Sequence, residues 1–142
     1  MAVRGGVHVF TVPKTIEVTF FAAKHAVCGS WISLSGDGCR AALERALNEC
    51  GRMRAKSFIA DLTRDPGVPS QADLKWIEGD GARLLLANGV RAVINVHGGS
   101  AVARMGAKRW SKSASDNGVS TYDCASMDEA LEIAAEVASK AE

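Results

Sequence analysis

Ser57-Phe58-Ile59-Ala60-Asp61-Leu62 runs into Thr63-Arg64-Asp65-Pro66-Gly67-Val68-Pro69 and then into Ser70-Gln71-Ala72-Asp73-Leu74. The first six residues are short, apolar and without polar alternation, as expected of a strand covered on both faces. Two prolines and a glycine cannot continue a ladder, so the next seven predict a loop. Ser70 then heads a helix running to about Asn88, with Leu74, Ile77, Gly81, Leu84 and Leu85 on its core side. Gly79 and Gly81 each lower the stability of that helix by about 1 kcal/mol relative to Ala. A buried strand, a loop and a serine-headed helix form the repeating unit of an α/β fold.

Downstream the unit recurs. Residues 91–96 predict a second buried strand, His97-Gly98-Gly99 a turn, and Ser100 the cap of a helix through about Asp116. Asn117-Gly118 stops that helix, and residues 119–124 read as a last, more polar strand. Ser126-Met127-Asp128-Glu129 is a capping box, opening a helix with Ala130, Leu131, Ala134, Val137, Ala138 and Ala141 on one side. Upstream, residues 7–12 and 16–21 are β-branched and aromatic around Pro13-Lys14-Thr15, which suits an antiparallel hairpin. Residues 22–35 carry no clear period. From residue 36 or 37 to Cys50 the apolar positions Ala42, Leu43, Ala46, Leu47 and Cys50 form a helical stripe, and Gly51 stops it.

The expected order is β-β-α-β-α-β-α-β-α. Short connections with right-handed crossovers then demand parallel neighbours in the later half. The fold class is α/β, a mixed, mostly parallel sheet with an N-terminal hairpin and about four helices. Residues 1–142 form one domain, with neither a repeat nor a linker.

Composition narrows function by exclusion. The chain has 142 residues, 47% hydrophobic and 23% charged, with 17 Lys+Arg against 16 Asp+Glu. A net charge of +1 supplies no bulk attraction to nucleic acid or an anionic membrane, so neither partner is expected. No apolar run approaches the roughly 18 residues of a membrane span. Without a signal-peptide apolar region at the start, the cytoplasm is the expected compartment. Cys28, Cys39, Cys50 and Cys124 stand singly, lacking the close pairs that present two thiolates to one zinc ion. Neither a metal nor a cofactor is expected.

In open α/β sheets ligands gather beyond the carboxyl ends of the strands. Asp61, Thr63, Asp65 and Ser70 lie at one such end, and His97, Gly98, Gly99 and Ser100 at another. A phosphate on Ser70 would set about −1.5 to −2 charges beside unpaired helix amides, and an unmodified Ser70 would serve as a cap. The Gly-Gly turn after His97 exposes backbone amides that suit a phosphate or an oxyanion, beside an imidazole able to exchange a proton. Arg104, Lys108 and Lys112 recur every four residues, a docking stripe for an acidic partner or an ordinary solvated face.

Phe58-Ile59-Ala60-Asp61-Leu62-Thr63, the later Ser70 and the order of elements resemble the STAS domain of sulphate transporters and anti-sigma-factor antagonists. Ser70 falls nine residues after Asp61, where the resemblance implies the serine phosphorylated by a partner kinase, and Thr63 falls at the family's strand-end Ser or Thr. Pro69 stands where those antagonists carry an acid, and Gln71-Ala72 where they carry Ser-Gly. Trp76-Ile77-Glu78, Asn88-Gly89-Val90-Arg91 and Asp128-Glu129-Ala130-Leu131 are similar to a divergent branch of single bacterial domains, mostly without assigned activity. The resemblance implies a non-catalytic regulatory module that meets a protein partner, a kinase or signalling protein, at residues 61–70 and the following helix. The alternative is a small-molecule or phosphate-ester binding protein or hydrolase at the 97–100 turn. A homodimer through the edge of the opening hairpin is a third expectation.

Overall fold

The computed structural model describes residues 5–140. Strands β1 (Val7–Val12), β2 (Ile16–Phe21), β3 (Ala26–Trp31), β4 (Ser57–Leu62), β5 (Ala92–His97) and β6 (Ser120–Cys124) form one sheet in chain order. β1, β2 and β3 pair antiparallel, and β3 through β6 pair parallel. The helices are α1 (Cys39–Arg52), α2 (Gln71–Trp76), α3 (Ala82–Ala87), α4 (Ala101–Asp116) and α5 (Met127–Lys140). This is the α/β class read from the sequence, with its mixed, mostly parallel sheet and opening hairpin.

Three details correct that reading. First, Ala26–Trp31 is a strand that the expected order lacked, preceded by a 3-10 turn at Ala22–Lys24. It joins the hairpin to the parallel half of the sheet. Its Gly29 is needed for packing: a Cβ there would lie 2.9 Å from Ile16 Cδ1 and 3.1 Å from Phe58 Cζ. Second, the helix after Ser70 is interrupted, because Ile77–Gly81 form a π turn that holds both glycines. The Glu78 carbonyl in that turn accepts a hydrogen bond from the Ser113 hydroxyl of α4. Third, His97 closes β5 instead of beginning a turn.

Alternating residues send the two faces of the sheet into different cores. Val93 of β5 joins Phe58, Trp31, Leu47, Ile77 and Ala107, so α1 through α4 cover one face. Ile94 and Val96 join Ile59, Cys28, Ala130 and Ala134, so α5 covers the other. A sheet that grows in one direction through crossovers of one hand places the connecting helices on one side. Only the last helix is free to take the opposite face. Ala141, read as part of that helix's apolar side, lies outside the described residues.

An apolar cavity of about 50 Å³ lies between α1, the π turn and the sheet, walled by Trp31, Leu43, Phe58, Ile77, Val93 and Trp110 among others. Trp31 is thus a core residue, 3% exposed.

Candidate functional site at the carboxyl rim of the sheet

Parallel strands carry their chain reversals to one rim, and there the predicted residues gather. Ser70 heads α2 with its Oγ accepting from the Asp73 amide at 3.1 Å, and Ser100 heads α4 in the same way, from the Ala103 amide at 3.2 Å. Each hydroxyl satisfies one of the amides that a helix start leaves without a carbonyl. The β4 turn is fastened at several points. Arg64 pairs with Glu17 of β2 at 2.7 Å, and the Pro66 carbonyl accepts from the Leu34 amide at 2.9 Å. The β5 turn is fastened by close approach: a Cβ on Gly98 would lie 3.2 Å from Thr63 Cα, Thr63 O and Asp65 Oδ1. Among the described residues, a Cβ built on Gly99 would meet no atom within 4 Å beyond its own chain neighbours.

Asp61 and His97 reach this rim on opposite faces of the sheet. Asp61 shares the α5 side with Ser30, its partner on β3. Its carboxylate accepts from Ser30 Oγ at 3.0 Å, from the Thr63 amide at 3.0 Å and from Thr63 Oγ1 at 2.7 Å. Three donors leave it little capacity for a substrate. Asp65 is exposed and holds a left-handed backbone with φ 51°, a conformation that Asp tolerates better than most residues. Among the described residues no group of three His, Cys, Asp or Glu side chains is placed to hold a metal ion.

His97 lies on the α4 side and is 9% exposed. Its Nε2 lies 2.6 Å from Asp123 Oδ1, a residue of β6 that the sequence reading did not single out. A carboxylate only accepts, so Nε2 donates to it, and Nδ1 is buried with no partner among the described residues. Beneath this pair lies Asn95, fully buried, whose Oδ1 accepts from Trp110 Nε1 at 2.9 Å. Its Nδ2 donates to Ser111 Oγ at 2.9 Å and, at 3.4 Å, to Asp123 Oδ1. A signal for this cluster does exist in the sequence. Asn95 interrupts an apolar strand, and residues two apart share a face, which pairs it with His97. The partner strand, and with it Asp123, becomes known only from the register, where Asn95 opposes Asp123.

Thiol chemistry finds no support at the rim or below it. Burial pushes Cys39 and Cys50 up to about 12, with the Asp73 and Glu49 carboxylates adding to the effect. Burial, reinforced by Asp61, raises Cys28 further. Cys124, beside the rim, is also raised by partial burial; a hydrogen bond with the Ser126 backbone opposes that, and Glu129 and Asp123 reinforce it. A thiol held in its neutral form is a poor nucleophile.

Thr63, Arg64, Asp65, Ser70, Gln71 and Ala72 remain exposed, so the loop and the start of α2 present the open part of the rim. Flanking them, Arg40 pairs with Asp73 at 3.3 Å, and Arg109 pairs with Glu78 at 2.8 Å and donates to Gln71 Oε1 at 3.2 Å. Comparison with protein-family models, with curated proteins and with solved structures gives no match in any of the three.

Proposed function

We propose that this chain is a non-catalytic interaction module of the STAS-like kind, meeting a signalling protein or kinase at residues 61–70 and α2. One observation carries the reading: Ser70 is exposed at the head of α2 on the open part of the rim, whereas Asp61 and His97 are engaged in internal hydrogen bonds. A phosphate on Ser70 would add its charge within one helical turn of Asp73 and compete for Arg40. That competition would release the Arg40–Asp73 pair between α1 and α2 and alter the face offered to the partner. Thr63 is the weaker switch, because its hydroxyl already donates to Asp61.

Affinity capture with wild type, Ser70→Ala and Ser70→Asp, followed by intact mass measurement, tests this. The expected result is a partner held by wild type and Ser70→Ala but lost by Ser70→Asp, with phosphate found only on chains that keep Ser70. Identical capture by all three proteins, and no phosphate on any, would overturn the switch. The alternative, a small-molecule or phosphate-ester site at the 97–100 turn, draws on the His97–Asp123 pair. A stabilising thermal shift with a phosphoester would favour it.

A further inference from the structure

The charges on the helices are arranged in two different ways. The outer face of α1 interleaves both signs, with Arg40, Glu44, Arg45, Glu49 and Arg52. Along α2, the π turn and α3 both signs also occur, through Asp73, Lys75, Glu78, Asp80 and Arg83. By contrast, α4 exposes Arg104, Lys108, Arg109 and Lys112, with Asp116 as the one acid at its end. α5 exposes Asp128, Glu129, Glu132 and Glu136, with Lys140 as the one base. Segregation is confined to the two helices on opposite sides of the sheet.

The two stripes match in spacing. Arg104, Lys108 and Lys112 are four residues apart, as are Asp128, Glu132 and Glu136. At 1.5 Å per residue each stripe spans about 12 Å. Both helices start from the carboxyl rim, after β5 and after β6, so both stripes run away from that rim. Among the described residues, Arg104 and Lys108 make no ion pair, and neither do the four acids of α5. Val102 and Met105 are 55% and 69% exposed within the basic face, a large apolar area for a helix open only to water.

We propose that the basic face of α4 docks on the acidic face of α5 of a second copy of this chain. A two-fold dimer of this pairing would seat α4 on the partner's α5 and α5 on the partner's α4 together; with the two helices on opposite faces of the sheet, one face-to-face contact engages only one such pair and is heterologous. Since α4 and α5 cover opposite faces of the sheet, the docked pair still offers one basic and one acidic face, on different protomers. Association therefore extends front to back into short stacks instead of closing at two. Exposed ion pairs are individually weak and are screened by salt, so the stacks form at high protein concentration and low ionic strength.

Sedimentation velocity across a concentration series tests this, at low salt and at 0.5 M NaCl. The expected result is a weight-average mass that rises with concentration at low salt and falls to that of the monomer at high salt. Two charge reversals sharpen the test. Arg104→Glu with Lys108→Glu makes both faces acidic, and Glu132→Lys with Glu136→Lys makes both basic, so each variant alone stays monomeric. Mixing the two variants recreates a basic face opposite an acidic one, and association returns. Circular dichroism confirms that these surface variants keep the fold. A monomer under all conditions, a salt-insensitive closed dimer, or a mixture that stays monomeric would each overturn the proposal.

Discussion

The β4 and β5 turns use the same local elements and come to opposite ends. Each follows a buried strand, each contains glycine, and each finishes on a serine whose Oγ accepts an amide three residues on. The β5 turn is short. It lies against Thr63 and Asp65, and the strand residue just before it, His97, is drawn under the rim to Asp123. The β4 turn spans seven residues and leaves Thr63, Arg64, Asp65 and Ser70 in water. Length and side-chain direction, more than residue type, separate an internal brace from an open surface.

Alkaline titration gives the largest expected effect and loosens the core below both turns. Cys39 and Cys50 are neutral in the fold and ionise in the unfolded chain above about 9. Their contribution is therefore complete below pH 9 and declines as pH rises towards 12, on the order of 4 kcal/mol for each thiol. Urea unfolding at pH 8, 9.5 and 11 should show the decline, and Cys50→Ala should make it shallower, leaving the Cys39 share. An equal slope in that variant would contradict the assignment.

Substitutions then separate the two turns. Asn95→Ala, under the β5 turn, removes the acceptor of Trp110 Nε1 and leaves a void, at a cost of about 3 kcal/mol. Trp110 fluorescence should move with it. Gly98→Val presses a side chain onto the backbone of Thr63 and costs roughly 1–3 kcal/mol, whereas Gly99→Ala changes the melting temperature little. If both substitutions prove equally mild, the two turns are not packed together. The caps form the finest comparison: Ser100→Ala and Ser70→Ala each cost about 1 kcal/mol. Hydrogen exchange should localise the first loss to α4. The second should spread only as far as the π turn, because α2 alone is six residues long.

Particular residues show how far the sequence could be read. Strands β1, β2, β4 and β5 were legible from β-branched and apolar runs, and α1 and α5 from their periods. Strand β3 was not, because Cys28-Gly29-Ser30 has low strand propensity and, buried on both sides, shows no alternation. The π turn also escaped notice. Gly79 and Gly81 announced a weak helix, but the widened turn makes a contact, Glu78 with Ser113, between residues 35 apart in the chain. At the site, both serine caps were predicted correctly from a serine before a helical period, while the pairing of His97 with Asp123 was not.

Local chemistry was enough to specify the α/β class, the run of parallel strands and the two serine-headed helices. Strand burial, helix period and capping each depend on residues close together in the chain. Folding in three dimensions decided which face Asp61 and His97 took, that Asp123 met the imidazole, and that bases and acids came to lie on opposite sides of the sheet. Those outcomes follow from register and from the side each helix covers, quantities that exist only once distant strands have paired.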